Sequence, residues 1–556
     1  MPRPPHTIAI RDGRYSRRDY DWNPGAPFSS SMFFNREDRL NVRALAAVLA
    51  AASMYAALVA APAVAAPAKP DVPHEVFSPD GTIKHVEVDP ADLPKVPKSL
   101  VAAPSRLKEV EINGPSDNRI DLVFLGDGYT AAEQTAYGTE IDAAWATMTE
   151  REPYKSYRKL FNVWRIEIDS PQSGVSGDPT ADVHVDSPLA SAFWCGGTER
   201  LLCVDTTKAW EYAQALVPGA DQVLVQANST KYGGAGYSGS DVGTFSRNPL
   251  SREVVLHELG HSQGDLADEY DYGGPEQYPG TSEPYAANVT IDSTGAKWGV
   301  WLGEATPDGG IIGAFEGGDY SRFGVWRPSE NSLMRNLNQD FGLVNREKLV
   351  QSFYGEINPV DSVSSPEGGT HNATQPLTVT TVDVPLTIKW QVDGVAVPAW
   401  NGKKTLTPAD FASTGKSTFA LKGTVTDETA MVRNPIYKPD LTQTLSWTVG
   451  QNSSTNASAA FTKTADWGSG FEASVSVKAG STALTSWTVE FDVPAGFSVT
   501  STWDANRTQN NTRYTFTNKP YNGSVNPGQT VTFGLGGSPG NFPGISNCKV
   551  NGNPCS

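Results

Sequence analysis

The run Glu253-Val254-Val255-Leu256-His257-Glu258-Leu259-Gly260-His261-Ser262-Gln263-Gly264-Asp265-Leu266-Ala267-Asp268-Glu269-Tyr270 constrains this chain more than any other. It holds H-E-x-x-H after an apolar stretch suited to a buried helix. On a helix, residues at i and i+4 share one face. His257 and His261 can therefore grip one metal ion, with Glu258 beside it as the base for a water. The chain has 7 His, and two of them stand here, which disfavours a helix with two incidental surface histidines.

A catalytic zinc takes three protein ligands and leaves a fourth position to water. A straight helix cannot deliver the third ligand from this segment. At 1.5 Å per residue, His257 and Asp268 would lie about 16 Å apart along the axis. The helix is expected to end near Gly264, which tolerates left-handed geometry, so that the chain returns and offers Asp268. Glu269 is the rival ligand, and Asp265 reads as part of the turn. Metzincins use this device, with a glycine at the same place and a third histidine soon after. Here Ala267 occupies that third-ligand position, and the nearest ligand type is Asp268, one residue on.

The segment His257 to Tyr270 resembles the H-E-x-G-H-x-x-G-x-L-A-D-E-Y run of the secreted metallo-endopeptidase family named for a bacterial immunoglobulin A peptidase. The resemblance extends to Leu122–Tyr129, Phe161–Arg165, Phe193–Gly196, Asn228–Tyr237 and Asn331–Asn336, so it covers roughly residues 112–356. It implies a zinc-dependent endopeptidase; the residues alone reach a zinc hydrolase. Metzincins also place a Met turn under the metal histidines as an apolar floor, and by position Met334 is the candidate. The acidic cluster Asp265, Asp268, Glu269 and Asp271 is an alternative seat for a structural Ca²⁺.

The 556 residues suffice for several domains. With 38% hydrophobic and 19% charged residues the chain reads as globular. A net charge of -17 argues against a nucleic-acid partner. Residues 1–66 read as an N-terminal extension and signal peptide. An Ala-rich apolar run follows Arg39 and Arg43 and ends in Ala63-Val64-Ala65-Ala66, a small-residue cleavage site. The rival reading is a membrane anchor. After signal cleavage no later run is long and apolar enough to span a bilayer, so the mature protein is expected to be secreted, extracellular and monomeric. The 4 Cys fall in two local pairs, Cys195 with Cys203 and Cys548 with Cys555, as disulfides in an oxidising compartment would.

Residues 67–111 read as a linker with a short β segment around Phe77–Val88, or a propeptide. Residues 112–356 follow a strand–helix order, with strands at Arg119–Leu125, Phe161–Ile168 and Gln222–Gln226 and a helix capped by Thr130, before the metal helix. That is an α/β order and fits a metzincin-like zincin. Gly233–Gly239 reads as a flexible loop beside the cleft, and 271–330 as an excursion without regular period. From 357 to 449 the alternation of Leu377–Val395, with a turn at Asp393-Gly394, predicts an immunoglobulin-like β-sandwich. Residues 450–457 are a polar linker.

The segment 458–556 resembles a family 2 carbohydrate-binding module, on Asp466–Phe471, Trp487–Phe491, Thr502–Asn506, Tyr521–Gly523 and Asn526–Gly528. The resemblance implies a β-sandwich that binds cellulose- or chitin-like polysaccharide through a flat aromatic row of Trp467, Trp503 and Tyr521, with Trp487 in the core. Flat rings stack on the apolar faces of sugars. The family often joins its two ends by a disulfide. Here the N-terminal Cys is absent, and Cys548 can pair only nearby.

Together these readings describe a secreted zinc endopeptidase tethered to polysaccharide, with a protein or peptide substrate. A zinc-dependent glycan deacetylase or amidase, and a non-catalytic adhesin, are the rival classes. The family name does not make immunoglobulin A the substrate; a cellulose-type module points to an environmental setting.

Overall fold

The computed structural model describes residues 72–96, 103–237, 241–450, 457–480 and 483–555. The expected signal peptide at 1–66 and nearly all of the linker at 450–457 lie outside the described residues. The chain divides into two compact units. The first runs to Asp361 and also takes 382–386 and 427–442; the second takes 362–381, 387–426 and 443 onward. No helix among the described residues is long and apolar enough to cross a membrane.

The first unit opens with a hairpin of β1 (Val72–Phe77) and β2 (Ile83–Val88), a two-stranded sheet of its own. Then come β3 (Ser105–Glu111), β4 (Ile120–Asp127), α1 (Gln134–Met148), α2 (Tyr154–Tyr157), β5 (Phe161–Ile168) and α3 (Thr206–Leu216). After these follow β6 (Gln222–Ala227), β7 (Gly234–Tyr237), β8 (Val242–Ser246) and α4 (Ser251–Gly264). One sheet of six strands takes the order β3-β5-β4-β6-β8-β7. Its four middle strands run parallel, while β3 and β7 are antiparallel to their neighbours.

The sequence of β4 explains its central place. Every residue from Ile120 to Asp127 is buried, as a strand covered on both faces requires. Leu122 and Phe124 point into one core with α1 and α4, and Val123 and Leu125 into another with α3. The two-residue period of a strand feeds both layers.

Three expectations change. The α-helix after Thr130 begins at Gln134. Thr130 donates its N–H and hydroxyl to Glu133 at 2.8 and 2.7 Å, so a turn precedes the helix and Thr130 does not cap it. Residues 234–237, expected as a loop, are edge strand β7. Their glycines serve close packing: a Cβ at Gly234 would lie 2.6 Å from the Thr244 carbonyl oxygen and 3.0 Å from Val254 of α4. The stretch 271–330 holds a hairpin of β9 (Phe315–Gly318) and β10 (Ser321–Arg327), and α5 (Leu343–Glu356) follows it.

In the second unit, a five-stranded sheet orders Thr370–Asn372, Thr442–Gly450, Thr418–Thr426, Thr387–Val392 and Val395–Ala396. Asp393 and Gly394 both take positive φ at its tight turn, as the Asp-Gly pair predicts. The C-terminal module is a β-sandwich of a four-stranded and a five-stranded sheet. Trp487 is buried and stacks on Phe533 at 5.2 Å.

Candidate metal centre and aromatic face

Helix α4 carries His257 and His261 one turn apart, and it stops where the sequence arithmetic required. The residue in the left-handed region is Asp265, with φ 48°, rather than Gly264. Gly264 answers a need for space: a Cβ there would lie 2.9 Å from Leu266 and 3.1 Å from Leu349 of α5. The N–H groups of Asp265 and Leu266 return to the carbonyls of His261 and Gly260 at 3.0 and 3.2 Å, closing the helix end.

The return brings Asp268 to the histidines. Its Oδ1 lies 3.1 Å from His257 Nε2 and 3.4 Å from His261 Nε2. Glu269 faces elsewhere. Its carboxylate accepts from Asn288, Asn345 and Ser332 at 3.0, 3.0 and 2.7 Å, which satisfies both oxygens away from the histidines. The calcium alternative finds no support. Asp265 turns to Lys348 and Asp271 to Arg335. Among the described residues the four carboxylates form no common site.

A fourth donor completes the cluster. Glu75 of β1 places Oε2 3.1 Å from His257 Nε2 and 4.0 Å from His261 Nε2. Each histidine spends Nδ1 on a backbone carbonyl, Leu333 at 2.9 Å and Leu266 at 2.7 Å. A carbonyl can only accept, so each Nδ1 carries a proton, and the neutral, metal-binding form of each imidazole presents its lone pair at Nε2. Yet the two Nε2 atoms face each other at 3.1 Å, and two carboxylate oxygens join them. With both imidazoles neutral, these four atoms repel unless a cation stands among them. Ligands of a tetrahedral zinc, about 2.0–2.1 Å from the ion, are separated by about 3.3 Å, close to most of the spacings here. The donor set of two imidazoles and carboxylate oxygens fits zinc.

Outer contacts hold these ligands in place. Tyr320 donates to Asp268 Oδ2 at 2.6 Å. It is delivered by the β9–β10 turn, where Asp319 and Tyr320 both take positive φ, a costly conformation for such residues. The Asp319 N–H donates to the Asp268 carbonyl at 2.8 Å. Met334 is fully buried under α4, and a Cβ at Gly260 would lie 2.4 Å from its sulfur. Its carbonyl accepts the Glu269 N–H at 2.8 Å.

Glu258 stands beside the cluster with Oε1 buried and without a hydrogen-bond partner. Burial, and then the nearby Glu75 charge, push its carboxyl up to about 7. A carboxyl so placed can take and return a proton near neutral pH.

In the C-terminal module Trp467, Trp503 and Tyr521 are 57%, 45% and 72% exposed, whereas Trp487 is 1% exposed. Trp503 lies across its sheet partner Gly534, where a Cβ would come 2.0 Å from the indole; Trp467 lies over Gly470 in the same way, at 2.9 Å. The glycines let both indoles rest against the backbone. Tyr521 donates to Asp504 at 2.8 Å.

Residues 109–308 match the IgA Peptidase M64 family. The matched span contains His257, Glu258, His261 and Asp268; Glu75, Tyr320 and Met334 lie outside it. Residues 457–555 match the Cellulose binding domain family. Chitinase C of Streptomyces lividans is 49% identical over 67 residues, 12% of this chain and 10% of that one. A cellulose/chitin binding protein of Mycobacterium bovis is 39% identical over 70 residues, 12% of this chain and 49% of that one. The chain thus spans a tenth to a half of the length of these curated relatives. The solution structure of the chitin-binding domain of Chi18aC from Streptomyces coelicolor is 49% identical, covering 18% of this chain and 94% of that one, with a TM-score of 0.17. The chain therefore carries one region similar to the IgA Peptidase M64 family and, C-terminal to it, one similar to cellulose-binding domains. Cys195–Cys203 and Cys548–Cys555 are both disulfide-bonded.

Sequence reasoning missed Glu75 and Tyr320. Gly318-Asp319 between aromatic-rich runs was a hairpin signal for the second. For Glu75 no local pattern exists, since it meets His257 across 182 residues of sequence.

Proposed function

We propose that this chain is a secreted zinc endopeptidase of zincin architecture, held on insoluble polysaccharide by its C-terminal module. The observation that carries the reading is the buried, unpartnered Glu258 Oε1 beside the converging ligand atoms of His257, His261 and Asp268. Zinc held there would polarise a scissile carbonyl and ease ionisation of a water. Glu258 takes the water's proton and hands it to the leaving amine. Tyr320 and the carbonyls of Leu333 and Leu266 keep the three ligands in orientation. Edge strand β7 borders Glu258, and an extended peptide could add along it. The strands of 357–449 support an immunoglobulin-like reading, and the exposed Trp467, Trp503 and Tyr521 support stacking on sugar rings.

The test is metal-dependent hydrolysis. Casein should be cut by the zinc-loaded protein, spared after chelation, and cut again on zinc return. Acetate release from an acetylated chito-oligosaccharide without any casein cleavage would replace the peptidase reading with a deacetylase.

A further inference from the structure

Glu75 raises a conflict within the metal site. Four protein ligands make a closed set, the pattern of a structural metal, whereas a catalytic one keeps a position open. A closed set has no use for a buried base, yet Glu258 stands there with an unpartnered oxygen. Both features can serve one site only if one of the four ligands is removable.

The elements single out Glu75. His257, His261 and Asp268 belong to α4 and its return, built into the main core. Glu75 sits on the β1–β2 hairpin, which is not part of the six-stranded sheet. Everything N-terminal to β3 can leave without breaking a strand of that sheet. The hairpin is nevertheless seated firmly. Glu75 Oε1 accepts from the Tyr270 hydroxyl and lies 3.3 Å from His85 Nε2 of β2. Phe77 meets the His257 ring edge-on at 5.2 Å. Val76 and Val88 pack with the Cys195–Cys203 disulfide and with Ala235 of β7. β1 also runs beside β7, the edge strand where an extended substrate would add.

We propose that the β1–β2 hairpin is an inhibitory latch: Glu75 fills the fourth position of the metal site, β1 covers edge strand β7, and the site opens only when the hairpin departs. The proposal rests on reading the site as a peptidase centre, and its test separates the two.

The experiment uses the full chain loaded with Co²⁺, titrated with acetohydroxamate and followed by visible absorption, for the parent and for Glu75→Gln and Glu75→Ala. Gly81→Ala is a further variant that touches no ligand. Gly81 takes φ +89° in the turn between β1 and β2, so a side chain there strains the hairpin. The Glu75 variants should bind acetohydroxamate at least tenfold more tightly than the parent, with an altered metal spectrum before titration. Gly81→Ala should shift affinity in the same direction by less. Equal affinity and an unchanged spectrum in the Glu75 variants would overturn the latch. So would loss of the metal without hydroxamate binding, which would make Glu75 a structural ligand. Peptide turnover should rise at least tenfold in Glu75→Ala. Tight hydroxamate binding with no peptide cleavage would keep the latch and overturn the peptidase reading.

Discussion

Gly236 of β7 lies so close to the Glu258 carboxylate that a Cβ at Gly236 would sit 1.7 Å from Oε2. The edge strand and the proposed base thus occupy one space, which is open because residue 236 has no side chain. Gly236→Ala must displace Glu258 while leaving all metal-facing atoms intact. Turnover of a soluble peptide should fall by about a hundredfold, the scale of a 1 Å misplacement, with zinc content unchanged. Elemental analysis beside the kinetics checks both halves.

The return after α4 makes a second prediction. Asp268→Asn should weaken zinc binding strongly, because Oδ1 faces both histidines. Glu269→Gln should alter it far less, since that carboxylate is spent on Asn288, Asn345 and Ser332. Tyr320→Phe removes the partner of Asp268 Oδ2 and should cost about 10- to 100-fold in affinity. Competition with a chelator of known strength reads all three.

These residues also show how far the sequence could be read. His257, Glu258 and His261 follow from helical spacing, and Asp268 from the length a helix would need to reach back. Those are local arguments, and the structure brings the four residues to one place. Glu75 answers to no local rule, because a contact across 182 residues is decided by how the hairpin docks. The glycines of β7 looked like a loop since glycine is poor in strands; their purpose is room for α4 and Glu258. Tyr320 was hidden in a turn whose two positive φ values oppose ordinary preference. The three aromatics Trp467, Trp503 and Tyr521 were singled out by motif likeness and are exposed, while the glycines beneath Trp467 and Trp503 became meaningful only with strand register.

Asp427 offers a stability test within the first unit. It is 7% exposed and accepts the hydroxyls of Tyr157 and Tyr354, each at 2.8 Å. Asp427→Ala removes the shared acceptor of two buried hydroxyls, a loss of about 2 kcal/mol or more. Urea unfolding of the first unit should show the midpoint falling, with Asp427→Asn intermediate.

Trp503 tests the module. Trp503→Ala should weaken binding to insoluble chitin or cellulose by ~2 kcal/mol, about thirtyfold, as loss of a central aromatic anchor does. Hydrolysis of a soluble peptide should be unchanged. A pull-down with each polysaccharide and a parallel peptide assay read the two effects.

The central claim is that Glu258 moves protons at a metal held by other residues. The measurement is zinc stoichiometry and peptide turnover on the same preparation of Glu258→Ala, made also in the Glu75→Ala background so that the fourth position is free. The account predicts one zinc per chain, as in the parent, and turnover lower by about a hundredfold or more. Full zinc with undiminished turnover would contradict it.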